Sequence, residues 1–183
     1  NNIDIIDFQI EMMATAGIDF VIFDLTNGNI SDKVGGWEPD ISLDERVTRV
    51  NDICTVNGAS NVILISIHCN ASKNGEWGKA RGWSAYTSKG NTDSDTLATM
   101  MYIEAAKNFT GQFIRKDFSD ADPDWEEDFY LLRRTKCPAV LTENFFMDNK
   151  QDLAYLLSET GQKAIINTHV NAIIKYVEAN EID

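Results

Sequence analysis

At 183 residues, 43% of them hydrophobic, the chain is long enough for one domain, residues 1–183, with a substantial core. A formal net charge of −13 argues against nucleic acid as a partner, because phosphates would be repelled. No apolar run reaches the ~18 residues of a membrane span, and three cysteines, Cys54, Cys69 and Cys137, are too few and odd in number for a disulfide framework. The sequence opens on Asn rather than Met and shows no basic leader with a cleavage site, so it reads as a trimmed chain without a signal peptide.

In chain order, Ile5, Phe8, Met12 and Met13 recur at helical spacing, and Gly17 is a natural stop. Ile18 to Phe23 is a first strand ending in Asp24. Thr26 to Asp40, with its glycines and Pro39, is a long loop. Ser42 and Glu45 have the spacing of a capping box. They open a helix to about Val56 with Val47, Val50 and Ile53 on one face, closed by Asn57-Gly58. Val62 to Ile67 is an apolar, β-branched run, the pattern of a buried strand. It delivers His68 at its carboxyl end, where open α/β sheets place their chemistry, although a capping or core histidine would fit the same position. Strand alternation turns Cys69 to the other side, as a structural cysteine.

A polar loop from Lys73 to Lys79 follows, then an alternating strand from Arg81 to Thr87, a turn at Lys89-Gly90-Asn91, and a helix from Thr92 to Phe109 with acids in its first turn. Asp117 to Asp128 is dense in acids. Asp120, Asp122 and Asp124 superficially resemble a calcium loop, but the sixth position from Asp120 is Trp125 and the twelfth is Leu131, where such a loop needs glycine and glutamate. A solvated loop near the mouth of a site is the expectation, with Trp125 either packing or touching a sugar or peptide. Phe129 to Leu132 reads as a short strand, and Arg133, Arg134 and Lys136 as solvated residues or as a binding point for a substrate carboxylate. Pro138 to Glu143 is a second buried strand ending in a charged group. Asn149 caps a helix from Lys150 to Leu157, and Glu159 to Ala179 is the last helix, with His169 on its apolar face as a core histidine. The alternation of strands and helices predicts an α/β fold: a three-layer sandwich, its sheet mostly parallel or mixed, with helices on both faces.

Three of these stretches carry a resemblance. SIHCNA (Ser66 to Ala71), PAVLTENFFMDN (Pro138 to Asn149) and DISLDERVTRVN (Asp40 to Asn51) resemble, in this order, the SIHxNA, PxVLxExxFxxN and DxxLxxRxxxAN motifs of the zinc-dependent N-acetylmuramoyl-L-alanine amidases of the amidase_3 type. The likeness runs from about Asp40 to Val177; the first 40 residues do not fit it. The resemblance implies the three-layer fold, His68 as a zinc ligand and Glu143 as the catalytic acid and base. It implies peptidoglycan as substrate, cut between N-acetylmuramic acid and L-alanine, and action in the cell wall, the periplasm or outside the cell. It also implies two further ligands, a histidine in a Gly-His-Gly turn after the first strand and a glutamate at the start of the next helix. The chain has no such turn, and its only histidines are His68 and His169. Two other functions remain open: a peptidoglycan-binding module with an incomplete metal site, and a glycoside hydrolase using a carboxylate pair such as Asp24 with Glu143. Glu11 and Asp19 are further carboxylates that nothing in the sequence places beside His68.

Overall fold

The computed structural model describes residues 42–72 and 75–180, and the backbone of residues 21–24. The helix expected around Ile5 to Met13 and the loop from Thr26 to Asp40 lie outside the described residues. The elements are β1 (Val21–Asp24), α1 (Leu43–Asn57), β2 (Ile63–Asn70), β3 (Ser84–Thr87), α2 (Asp93–Asn108), β4 (Trp125–Glu126), α3 (Tyr130–Arg134), β5 (Ala139–Phe146), α4 (Lys150–Leu156) and α5 (Glu159–Asn180).

The strands form one mixed sheet in the order β1-β2-β5-β3-β4. β1, β2 and β5 run parallel, β3 is antiparallel to β5, and β4 is parallel to β3. Alternation along the two central strands sends odd and even positions to opposite faces. Ile63, Ile65 and Val140 pack with Ala85 against Leu97, Met101 and Ala105 of α2 and Ala172, Ile173 and Tyr176 of α5. Leu64, Ala139 and Leu141 pack on the other side against Val47, Val50 and Cys54 of α1 and Leu131 and Leu132 of α3. Burial on both faces is why β2 and β5 read as continuous apolar runs. The result is the three-layer α/β sandwich that the sequence predicts.

Local chemistry sets the ends of the elements. At α1 the Ser42 hydroxyl accepts from the Glu45 N–H at 3.2 Å, while the Glu45 carboxylate turns outward to Arg49 Nε at 2.9 Å. A full reciprocal capping box forms instead at α2, between Thr92 and Asp95. Asn149 caps α4, accepting from the Gln151 and Asp152 N–H groups.

Two expectations change. Phe129 to Leu132 is not a strand: Tyr130–Arg134 is a helix, with the Arg133 N–H bonded to the Phe129 carbonyl at 3.1 Å. The adjacent Leu131 and Leu132 face the same core cluster, which a helical turn allows and an alternating strand forbids. The strand from Arg81 shortens to Ser84–Thr87, preceded by a single bridge from Trp83 to Ile114.

Candidate active site

Where β2 and β5 end, His68 stands directly beside Glu143, and on the other side of Glu143 stands Ser84 of β3. Residues level with each other in adjacent strands share a face. The three therefore form a row on the α1/α3 side, one step beyond the buried Leu141. Glu143 is half-buried, and its Oε2 has no hydrogen-bond partner among the described residues. Burial pushes its carboxyl up from 4.5 to about 7, because the charged form loses water. His68 Nε2 lies 2.9 Å from the Ser66 hydroxyl, two residues back on the same face. The backbone of Asp24 in β1 is level with Ser66, so a whole strand separates β1 from β5.

The strand does not stop at Glu143. The register passes from His68–Glu143 to Asn70–Phe146, so β5 carries one extra residue there. Phe145, inside this bulge, adopts φ 63°, a conformation a bulky residue rarely takes. It is held by burial: its ring meets Phe109 at 5.1 Å and Tyr155 at 5.0 Å. Cys69 follows His68 in β2. This half-buried thiol feels the charge of Glu143, and burial together with that charge pushes its ionisation up. It stays a neutral thiol, the opposite of what a nucleophilic cysteine needs.

Asn144 is a positioning residue hidden in the sequence beside Glu143. Fully enclosed on the far face, it donates from Nδ2 to the His68 carbonyl at 3.0 Å and accepts at Oδ1 from the Trp83 indole at 3.0 Å. It thereby fixes β2 against β5 at the level of the row. Asn144→Leu takes the donor from that carbonyl and leaves the Trp83 N–H buried without an acceptor. The expected cost is about 2–4 kcal/mol, read as a fall in the urea midpoint. The loops beyond the row are tied in the same way: the Met147 N–H donates to the Asn70 carbonyl at 2.8 Å, and the Ser72 N–H and hydroxyl both donate to Asp148 at 2.8 Å.

Other candidates fall away from the row. His169 is buried on the opposite face, with Nε2 2.9 Å from the Thr142 hydroxyl and Nδ1 2.7 Å from the Ile165 carbonyl. Burial lowers its pKa, so it packs as a neutral core histidine. Trp125 lies against Tyr86 in a tilted contact, ring centroids 6.4 Å apart, and the Arg115 guanidinium lies 5.6 Å from its ring and 5.5 Å from that of Phe146. Arg133 is paired with Asp128 at 3.1 Å and stacks on Tyr130, as Arg134 does. Asn51 links the same region to α1, donating to the Arg134 carbonyl and accepting from the Lys136 N–H.

Compared with protein-family models, the sequence matches Amidase_3, N-acetylmuramoyl-L-alanine amidase, over residues 24–175. The chain belongs to this family. The match reaches further toward the N-terminus, to Asp24, than the motifs beginning at Asp40. Among curated relatives, the amidase CwlM of Bacillus licheniformis is 31% identical over 113 residues, 61% of this chain and 39% of that protein. An endolysin of Bacillus phage SPP1 is 27% identical over 119 residues, 64% of this chain and 41% of that protein. The chain thus spans about two fifths of the length of these relatives. In structure it is similar to the N-acetylmuramoyl-L-alanine amidase of Clostridium difficile 630, with a TM-score of 0.63 and 25% identity, covering 77% of this chain and 68% of that one.

In this amidase family member the motifs acquire physical roles. SIHCNA is the end of β2 that presents His68, and TEN is the bulged end of β5 that presents Glu143 and anchors it through Asn144. The asparagine that ends DISLDERVTRVN, Asn51, pins α1 to the connection before β5. Zinc is the ion the family resemblance implies, and the described residues do not by themselves fit it. Among them the only three His, Cys, Asp or Glu side chains that converge as a metal site would are Asp95, Asp122 and Asp124, and none of these is in the row with His68. A zinc site of three protein ligands would need groups from outside the described residues.

Proposed function

We propose that the chain is a peptidoglycan hydrolase cutting the amide between N-acetylmuramic acid and the L-alanine of the stem peptide, and that it works as one catalytic domain in the cell wall or outside the cell. The observation that carries this reading is the His68–Glu143 pair, level with each other at the carboxyl ends of two parallel strands, in a chain of the amidase family. Among the described residues no helix is long and apolar enough to cross a membrane. Glu143 is the proton carrier. A carboxyl near 7 can be ionised to take a proton from the attacking water and then, protonated, return it to the departing amine. Among the described residues burial alone supplies that value, one of the ways a carboxylate is tuned for neutral pH. His68 would contribute one imidazole to the zinc that polarises the amide carbonyl in such enzymes.

The test is a digest of purified peptidoglycan with zinc supplied, followed for free amines and for reducing ends together. New L-alanine amino groups without reducing ends are expected. Reducing ends without amines would replace the amidase reading with a glycoside hydrolase. Pelleting with the cell wall and releasing neither would leave a binding module.

A further inference from the structure

We propose that Asp95, Asp122 and Asp124 form a calcium site that ties the acidic loop to the start of α2. One carboxylate oxygen from each lies within 4.8 Å of the others. Oxygens bonded to one calcium ion at ~2.4 Å lie no more than about 4.8 Å apart, and these three meet that limit.

Two of these carboxyls are enclosed, and the third, that of Asp122, is half-buried. Asp124 is 1% exposed and Asp95 8%. Asp124 Oδ2 accepts from the Thr87 hydroxyl at 2.6 Å, and Asp95 Oδ2 accepts from the Thr92 N–H. In each the other oxygen, Oδ1, is buried with no partner, and so is Asp122 Oδ1. Buried carboxylate oxygens without donors are costly to keep, and three in one place call for a positive charge between them. The charged groups that bear on them are themselves carboxylates: Asp122 and Glu126 on Asp95, and Asp122 and Asp95 on Asp124. Asp124 is accordingly pushed up to about 7, by burial first and then by the neighbouring Asp122 carboxyl. An all-oxygen, anionic donor set suits a hard divalent cation rather than zinc. Three carboxylates drawn from a helix start and a loop suit calcium better than magnesium, which keeps most of its waters and takes one or two carboxylates.

The site is separate from the row at Glu143. β3 runs antiparallel to β5, with Ser84 level with Glu143 and Tyr86 level with Leu141. Thr87, which holds Asp124, is therefore further from the catalytic end of the sheet. A cation here would clamp β4 and its loop to the sheet edge and the first turn of α2.

The experiment uses the 183-residue chain stripped of metals, with no peptidoglycan and no zinc, so its outcome is independent of the amidase reading. Calcium at ~100-fold excess over its Kd should raise the unfolding temperature by roughly 5–10 °C. Terbium, excited through the adjoining Trp125, should luminesce and be displaced by calcium. Asp122→Asn, which leaves the Thr87–Asp124 bond in place, should fold as the parent does and lose both responses; Asp124→Asn should lose them too. A parent indifferent to calcium at ~10 mM, about ten times the ~1 mM Kd at the weak end of extracellular sites, would overturn the proposal. So would responses undiminished in both variants. A chain stabilised by mild acid and unmoved by calcium would show a shared proton in place of the ion.

Discussion

Glu143→Gln should cut amine release from purified peptidoglycan, with zinc in excess, by ~10²-fold or more, the usual scale for a lost acid/base group. Glutamine keeps the shape of the side chain at the end of β5 but carries no titratable proton. The fold should persist, and in metal-free protein its stability should respond to pH in a defined way. Folding raises the Glu143 carboxyl from 4.5 to about 7. The folded state thus binds this proton more tightly than the unfolded chain. The associated stability is fully present below pH 4.5 and is lost as pH rises through 7. Glutamine does not titrate, so the difference in unfolding temperature between variant and parent should move in favour of the variant from pH 4.5 to pH 8 and then level off. A variant that hydrolyses as fast as the parent would remove Glu143 from the mechanism. A pH-independent difference would show that its carboxyl is not desolvated.

The parts of the fold legible in the sequence are those fixed by local pattern. The β-branched runs before His68 and Glu143 become the two central strands because each is buried on both faces. Their direct pairing, which makes the site, is set by the register of the folded sheet and is not legible in either run alone. Phe129 to Leu132 misled because an aromatic-leucine run fits a strand as readily as a single helical turn; the side on which Leu131 and Leu132 find their core decides it. Asn144 and the Phe145 bulge were hidden for another reason. An asparagine next to a glutamate at a strand end resembles a loop residue until the Trp83 indole and the His68 carbonyl are seen to converge on it. The acidic segment shows the limit most clearly. Its internal spacing correctly fails as a calcium loop, but the third carboxylate of the cluster, Asp95, comes from a helix begun before that segment, and only the packed sheet edge brings it there.

Purified without added zinc, the 183-residue chain should carry well under one zinc per molecule, and Asn27→His should raise that content toward one. Three protein ligands are the working minimum for a zinc site, and His68 is the one imidazole available to it. The other histidine, His169, is held on the opposite face by Thr142 and the Ile165 carbonyl. Residues 25–41 bring carboxylates, Asp32, Glu38 and Asp40, and no histidine. The family resemblance implies a histidine in the turn directly after the first strand. The chain leaves β1 at Asp24, level with Ser66 and beside the strand that bears His68, and the sequence then reads Leu25-Thr26-Asn27-Gly28-Asn29. Losing only the partners that orient zinc ligands costs ~10–100-fold in affinity, so losing a ligand should cost more, and an imidazole at position 27 should recover a comparable factor. Elemental analysis and competition with a chelating dye measure both quantities, with Asn27→Ala as the control. Stoichiometric zinc in the parent, lost on His68→Ala, would show that carboxylates alone complete the site around His68. No gain in affinity from Asn27→His would mean that the missing ligand is supplied from elsewhere in the sequence.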